Sequence, residues 1–260
     1  LIGPNCLGFV NNECSLNATF GSVASDVGNL RFVSQSGAIA TALFDWAQTA
    51  SIGISSCITL GNKTVLGENE VLEYFLHSKT HAKGKAAHGL SKYQPVGLYL
   101  ESIQQGSTFL NYAAAINKTN PVFVLKPGKS IAAQKAMQSH TGAMANDDSV
   151  LDAALKNFGI LRCDTLEDFF DLAKAFSWEN APESNSIAVV SNAGGPGVLT
   201  TDALQVSGLQ LATLSKKTKF ILEKNLPRAA NIHNPIGVLG DALAERYTVA
   251  LEAVLKEKSV

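Results

Sequence analysis

The sequence predicts an α/β fold in which a parallel sheet is covered on both faces by helices. Three observations support this prediction. Short apolar runs rich in β-branched residues alternate with longer segments of helical periodicity, this pattern restarts in the second half of the chain, and two strand-to-helix turns share one layout. Such alternation is typical of βαβ units, whose strands are buried and lie parallel to one another.

The first half of the chain alternates regularly between the two kinds of segment. Apolar runs predict strands at residues 30–34, 54–60, 96–100 and 122–125. Helical periodicity predicts helices at residues 38–49, 65–77 and 107–118. Residues 79–92 interrupt this order, and because they lack apolar periodicity we predict a solvated loop there.

The second half repeats the pattern on a smaller scale. After a helix at 166–176 and a polar stretch at 179–185, the sequence predicts strands at 187–191 and 208–212 and helices at 196–206, 216–224 and 242–258. A chain of 260 residues is long enough for two domains. We therefore predict one domain at 1–145 and a second at 146–260.

Composition excludes several classes of function. The formal net charge of −1 leaves no basic excess, which argues against nucleic acid and membrane surfaces as partners. No apolar run approaches the roughly 18 residues that a membrane span needs. The four cysteines are widely spaced, so we expect free thiols in a reducing, cytoplasmic environment. We expect no metal site, because His81 and His88 lack the spacing of a ligand pair.

The two similar turns are the first candidate site. Residues 32–37 and 189–194 each end an apolar strand and continue with Ser, an amide residue, a small residue and Gly. The N-terminus of a helix presents unpaired N–H groups that suit an anion such as phosphate. The candidate phosphate-binding residues are Ser34, Gln35, Ser36 and Gly37, and Asn192, Ala193, Gly194 and Gly195. The alternative is a tight turn with a capping Ser or Asn and no ligand.

His140 and Glu101 are the candidate catalytic residues. His140 lies in a loop rich in small residues beyond a predicted parallel strand, and ligands of open α/β sheets bind at that edge. An imidazole can accept and release a phosphoryl group near neutral pH. Glu101 follows the neighbouring strand and could fix the proton on His140 Nδ1. The alternatives are an exposed loop histidine and a helix-capping or solvent-facing glutamate.

Seven motifs in order carry a resemblance to a known family. They are 1–8 (LIGPNCLG), 33–38 (VSQSGA), 60–63 (LGNK), 99–102 (YLES), 139–143 (SHTGA), 191–197 (SNAGGPG) and 234–241 (NPIGVLGD). Together they resemble the NDP-forming acyl-CoA synthetases, specifically the ADP-forming acetyl-CoA synthetase branch related to succinyl-CoA synthetase. The resemblance implies two flavodoxin-like domains. It also implies that His140 is phosphorylated, that Glu101 holds it, and that the two turns face each other across the phosphate.

The resemblance also implies a reaction and a set of partners. In the family, phosphate attacks an acyl-CoA to give an acyl phosphate and CoA, the histidine takes the phosphoryl group, and its loop delivers that group to ADP. We expect no tightly bound cofactor in this chain, whereas the parent protein would use CoA, ATP or ADP, phosphate and Mg²⁺. The expected partners are the family's CoA-binding and ATP-grasp domains, in the parent chain or in a partner subunit, with a homodimer left open. The second domain is expected to be truncated.

Two other functions remain open at this stage. Some protein lysine acetyltransferases carry a synthetase-like regulatory region without synthetase activity, and such regions tend to lose the phosphorylated histidine. The presence of His140 therefore favours the synthetase. A plain flavodoxin-like binding module would need neither a phosphohistidine nor a second glycine-rich turn.

Overall fold

A computed structural model describes residues 1–21, 25–78, 92–135, 148–180, 182 and 184–260. His140 and the rest of 136–147 lie outside these ranges, as do residues 79–91 of the predicted polar loop. None of the helices within these ranges is long and apolar enough to cross a bilayer.

The chain forms two compact units, Leu1–Ala181 and Pro182–Val260. The division lies later than the boundary near residue 145 that the sequence predicted. Residues 148–178, which that prediction assigned to the second domain, contain a strand of the first sheet and a helix that packs on its core.

The first unit contains one mixed sheet and its covering helices. The strands are β1 (Gly8–Asn11), β2 (Leu16–Thr19), β3 (Val27–Ser34), β4 (Ile54–Thr59), β5 (Val96–Tyr99), β6 (Val122–Leu125) and β7 (Leu161–Cys163). The helices with defined bounds are α1 (Gly37–Thr49), α2 (Glu68–His77), α3 (Gly106–Asn117), α4 (Asp148–Asn157) and α5 (Leu166–Trp178), and residues 131–135 are also helical.

The strand order in this sheet is β2-β1-β4-β3-β5-β6-β7. Strands β4, β3, β5, β6 and β7 run parallel, whereas β1 pairs antiparallel with both β2 and β4. The predicted α/β class with a parallel sheet is confirmed, and the β1–β2 hairpin extends it. In this order β3 lies between β4 and β5, so the ends of these strands lie along one edge of the sheet.

Both faces of the sheet are buried, which explains the continuous apolar runs in the strands. Helix α1 packs on one face through Ala40, Leu43, Phe44 and Ala47, at the spacing of one helical stripe. Helix α5 packs on the same face, and the Phe169 ring lies 5.6 Å from the Phe32 ring and 4.9 Å from the Phe123 ring, measured between centroids. These contacts join α5 to the first unit. Helices α2, α3 and α4 cover the other face.

The second unit is smaller. Its strands are β8 (Ser186–Ile187), β9 (Val190–Ser191), β10 (Gln210–Leu211) and β11 (Ile236–Gly237), and its helices are α6 (Gly194–Val206), α7 (Lys216–Asn225) and α8 (Ala244–Val254). Strand β8 pairs parallel with β10, and β9 pairs parallel with β11.

The predicted strand at 187–191 is divided between β8 and β9. The Asn234 side chain lies at the division, where its Nδ2 donates to the carbonyl oxygens of Ile187 at 2.7 Å and Ala212 at 3.0 Å. Its Oδ1 accepts from the Val189 amide at 2.9 Å. The asparagine side chain therefore supplies hydrogen bonds to the backbone at the point between the two strand pairs.

Candidate functional site

The first predicted turn joins β3 to α1 at the carboxyl end of the sheet. Ser34 is fully buried, and its Oγ donates to the Ser36 carbonyl at 2.6 Å and accepts from the Ser36 amide at 3.1 Å. Ser36 is the N-cap of α1, and its Oγ accepts from the Ile39 amide at 3.3 Å. Within the described residues, the amides of Gly37 and Ala38 make no hydrogen bond. They are the donors that the start of a helix leaves for an anion.

Gln35 connects this turn to the loop after β5. Its backbone amide donates to the Tyr99 carbonyl at 2.8 Å. Its side-chain Oε1 accepts from the amides of Glu101 at 3.0 Å and Ser102 at 3.1 Å. Because Gln35 is only 8% exposed, these bonds form in a partly dehydrated environment and fix the position of the Glu101 backbone.

Glu101 lies at the same sheet edge as the turn and lines a pocket with it. The pocket has a volume of about 540 Å³, and its lining includes Gln35, Ser36, Gly37 and Glu101. Within the described residues, the Glu101 Oε2 atom is buried without a hydrogen-bond partner. An unpaired carboxylate oxygen is therefore available for a donor that enters this pocket.

A buried ion pair supports the loop after Glu101, and sequence reasoning did not identify it. Lys63 Nζ lies 2.8 Å from Glu68 Oε2, and each side chain is 1% exposed. Lys63 Nζ also donates to the Ser102 carbonyl at 2.6 Å, and Glu68 Oε1 accepts from the Gln104 amide at 2.5 Å. The pair therefore holds both ends of the segment that follows Glu101. The only signal in the sequence was the Gly-Asn-Lys motif, which gives no indication of burial.

A second cation lies at the same sheet edge. Lys126 follows β6 and is 7% exposed, and its Nζ donates to the Pro127 carbonyl at 3.3 Å. Burial lowers the pKa of Lys126, and the nearby Asp148 carboxylate opposes this effect. The lysine lines a separate pocket of about 380 Å³, on the side of the sheet that α3 and α4 cover.

The second predicted turn, in the other unit, has the hydrogen-bond pattern of the first. Ser191 Oγ donates to the Ala193 carbonyl at 2.8 Å and accepts from the Ala193 amide at 3.1 Å. These are the bonds that Ser34 makes with Ser36 in the first turn. The repeat recognised in the sequence therefore extends to the local geometry of both turns.

The two turns differ in how the following helix is capped. Ala193 is the N-cap of α6 and has no side-chain acceptor, whereas Ser36 caps α1. Gly194 and Gly195 are exposed, and a Cβ added at either glycine would meet no described atom within 4 Å beyond the adjacent backbone of its own helix. The start of α6 is thus open to close approach by a ligand.

The structure brings together the predicted residues Ser34, Gln35, Ser36, Gly37 and Glu101. Asn192, Ala193, Gly194 and Gly195 lie in the second unit, and His140 lies outside the described residues. The four cysteines are unpaired, as predicted. The described ranges contain no cluster of three or more His, Cys, Asp or Glu side chains that could bind a metal.

Comparison with known proteins gives consistent matches. Residues 27–176 match the succinyl-CoA ligase like flavodoxin domain. The chain is 35% identical over 260 residues to the ADP-forming acetate–CoA ligase I of Archaeoglobus fulgidus, and it spans 36% of that protein. It is 36% identical to the alpha subunit of the ADP-forming acetate–CoA ligase II of Pyrococcus furiosus, and it spans 54% of that subunit.

A solved structure matches along the full length of the chain. It is acetyl-coenzyme A synthetase 1 of Ca. Korarchaeum cryptofilum in complex with phosphate and ADP, with 33% identity and a TM-score of 0.88. The match covers all of this chain and 54% of that one. Since the family match covers more than half of the sequence, the chain belongs to the succinyl-CoA ligase-like flavodoxin-domain family.

Proposed function

We propose that this chain is the phosphohistidine-bearing part of an ADP-forming acyl-CoA synthetase. One observation supports the proposal most strongly. Gly37, Ala38 and Glu101 line a single pocket, and within the described ranges the two amides and the Glu101 Oε2 atom have no hydrogen-bond partner. Backbone N–H groups can bind the phosphate, and the nearby carboxylate can accept a hydrogen bond from an imidazole. This combination suits a reaction in which phosphate and an imidazole meet.

The turn at Ser36 and Gly37 is the proposed phosphate-binding element. The amides of Gly37 and Ala38 can each donate to a phosphate oxygen, and the dipole of α1 favours negative charge at the helix start by about 0.3–2 kcal/mol. We include residues 192–195 as a second phosphate-binding turn, because the Ser191–Ala193 hydrogen bonds repeat those of the first turn.

His140 is the proposed phosphoryl carrier, and Glu101 is its proposed partner. A carboxylate that accepts the Nδ1 proton leaves the Nε2 lone pair free to attack phosphorus. The Oε2 atom of Glu101, which is buried and has no partner in the part of the chain that the structure describes, supports this role. The hydrogen bonds from the Glu101 and Ser102 amides to Gln35 would hold the carboxylate in position.

The proposed reaction has three steps. A phosphate oxygen attacks the carbonyl carbon of an acyl-CoA, the C–S bond breaks, and the CoA thiolate takes a proton. Histidine nitrogen then attacks the phosphorus of the acyl phosphate, and the P–O bond breaks to release the carboxylate. Finally, an ADP oxygen attacks the phosphohistidine, the P–N bond breaks, and ATP leaves.

The other substrates are proposed to bind outside these 260 residues. The chain spans about a third to about half of the relatives named above, so the parent chain or a partner subunit can supply the sites for CoA and for nucleotide. Mg²⁺ would neutralise the phosphates of that nucleotide. A reducing cytoplasm remains the proposed location.

A regulatory region of a lysine acetyltransferase is not favoured as the alternative. The relatives above are named as ligases, over the full length of this chain in the examples given.

The proposal is tested with the complete protein that contains this chain. The protein is supplied with acetyl-CoA, phosphate, ADP and Mg²⁺, and ATP and free thiol are measured together. We expect ATP and CoA in equal amounts, and formation of neither when phosphate is omitted. Glu101→Gln should slow ATP formation by roughly 100-fold or more, while Glu252→Gln, an exposed glutamate of α8, should leave it unchanged. Absence of ATP, with acetyl transfer to lysine instead, would support the regulatory alternative.

A further inference from the structure

Two of the sequence motifs have no role in the proposed function, and they meet at the pocket beside the first turn. They are the segment 1–8 and the turn 60–63. The Asn62 amide donates to the Pro4 carbonyl at 2.9 Å, and the Thr64 amide donates to the Gly3 carbonyl at 3.2 Å. These bonds join segments that lie far apart in the sequence.

Gly61 makes the contact between these segments close. Its φ is +57°, and a Cβ at this position would lie 2.2 Å from the Pro4 oxygen and 2.4 Å from the Asn5 oxygen. Only glycine allows this approach without displacement of the backbone. The two segments therefore form a single fixed wall of the pocket.

This wall presents amides and apolar groups to the pocket. Asn5, Leu7, Phe20 and Asn62 line it, together with Gly37 and Glu101. Asn5 Nδ2 donates to Asn62 Oδ1 at 3.5 Å. Asn62 is exposed, its backbone is held by the bond to Pro4, and within the described residues its Nδ2 has no acceptor. The Phe20 side chain is 86% exposed, which is unusual for a phenylalanine.

The combination fits a ligand with an oxyanion at one end and a short apolar chain at the other. The backbone amides of Gly37 and Ala38 can donate hydrogen bonds to the oxyanion, and the Asn62 side chain offers a further N–H donor. Leu7 and Phe20 supply the apolar surface. A small-molecule site of this kind has an apolar lining with a few polar groups that set orientation. Inorganic phosphate alone would leave the apolar surface and the Asn62 donor unused.

We propose that this wall binds the acyl end of the acyl phosphate and of the acyl thioester from which it forms. Asn62 Nδ2 donates to the acyl carbonyl oxygen, and Leu7 and Phe20 contact the acyl chain. When phosphate attacks the thioester, this oxygen gains negative charge before the C–S bond breaks, so a donor at this position stabilises the transition state. The inference rests on the proposed function and adds the acyl-binding residues to it.

The experiment separates acyl chemistry from phosphoryl chemistry in the complete protein. Acyl-CoA-dependent ATP formation requires the acyl site, whereas labelling of the protein by [γ-³²P]ATP does not. We expect Asn62→Ala to lower the acyl-CoA-dependent rate by roughly 100- to 1000-fold, with labelling by ATP within two-fold of the wild type. Asn62→Asp, which places a carboxylate beside the acyl oxygen, should lower the rate at least as much. Asn225→Ala, an exposed asparagine of α7, serves as the control and should change neither activity.

Phe20→Ala tests the apolar part of the wall. Across acetyl-, propionyl- and butyryl-CoA, we expect the ratio of kcat/KM between longest and shortest chain to shift by roughly ten-fold. If both Asn62 variants keep the acyl-CoA-dependent rate within two-fold, or lose labelling by ATP as well, the assignment of Asn62 is overturned. A wild-type protein that ATP does not label would instead refute the proposed function itself, so the two failures are distinguishable.

Discussion

Gln35 Oε1 lies 3.0 Å from the amide nitrogen of Glu101, so the residue that follows β3 fixes the residue that follows the neighbouring parallel strand β5. The same oxygen accepts from the Ser102 amide. A single side chain therefore connects the proposed phosphate-binding turn to the proposed partner of the imidazole. A change at Gln35 should affect both.

Gln35→Leu removes this acceptor while nearly preserving side-chain volume. Two amides are then left without a partner at a largely dehydrated position, and an unsatisfied buried donor costs about 1–3 kcal/mol. We expect the free energy of unfolding to fall by roughly 2–4 kcal/mol, measured by urea denaturation. Gln205→Leu, an exposed glutamine of α6, is the control, and a loss no larger than the control's would contradict the structural role of Gln35.

Because Lys63 and Glu68 form a buried ion pair, we expect the effect of changing either residue on the free energy of unfolding to depend on whether the other is present. Each single change, Lys63→Met or Glu68→Gln, leaves a buried charge without its partner and should reduce stability by about 3–5 kcal/mol. The double variant Lys63→Met/Glu68→Gln removes both charges, so its loss should be well below the sum of the single losses. The double-mutant cycle is measured by urea unfolding, and additive losses would show that the two side chains do not interact.

Gly61 and Gly106 form a matched pair for testing the wall of the pocket. Gly61→Ala introduces a Cβ against backbone oxygens at a positive φ, and we expect a loss of more than about 2 kcal/mol. At Gly106 an added Cβ would meet no described atom within 4 Å beyond the adjacent backbone, so Gly106→Ala should change stability by less than about 1 kcal/mol. Thermal unfolding of both variants provides the comparison. Equal effects would argue against the close contact between Gly61 and Asn5.

The difference in burial among the four cysteines predicts that two thiols react readily in the native protein and two do not. Burial raises the pKa of Cys57 and of Cys163 to about 12, so at pH 8 only roughly one in ten thousand of these thiols is ionised. Cys14 is exposed and Cys6 is partly exposed. We expect a disulfide reagent to label Cys14 and Cys6 in the native protein and all four thiols after denaturation. Rapid native labelling of Cys57 would contradict its burial.

The same pKa shifts give a stability dependence at high pH. Because the folded-state values lie above the ordinary value of 9.0, the unfolded chain releases these protons first. Their contribution to stability is complete below about pH 9 and is lost as pH rises towards 12. Cys57→Ala should reduce this alkaline loss, provided that each variant is compared with its own stability at pH 8.

The sequence predicted the elements whose signals are local. Strand β6 was placed at its observed residues, and the turn at Ser34–Gly37 was identified, because apolar runs and small-residue turns are read over a few residues. The pairing of Gln35 with Glu101 could be expected only in outline. Adjacent parallel strands end at one sheet edge, but the sequence does not state which side chain bonds to which amide.

The features that were missed depend on distant contacts. The division of the strand at 187–191 is caused by Asn234, which lies far along the chain in the segment before β11. The later boundary between the units depends on Phe169, which packs on Phe32 and Phe123. Burial of Lys63 and Glu68 depends on carbonyl and amide groups of residues 102 and 104, whereas charged residues are exposed by default.

The most direct test of this account is the location of the phosphoryl group. The complete protein is incubated with [γ-³²P]ATP and Mg²⁺, and the label is mapped by peptide mass spectrometry and tested for stability in acid and alkali. We predict an acid-labile, alkali-stable label on His140 that disappears in His140→Ala and remains in His233→Ala, a histidine of the second unit. Label that persists in His140→Ala would contradict the account.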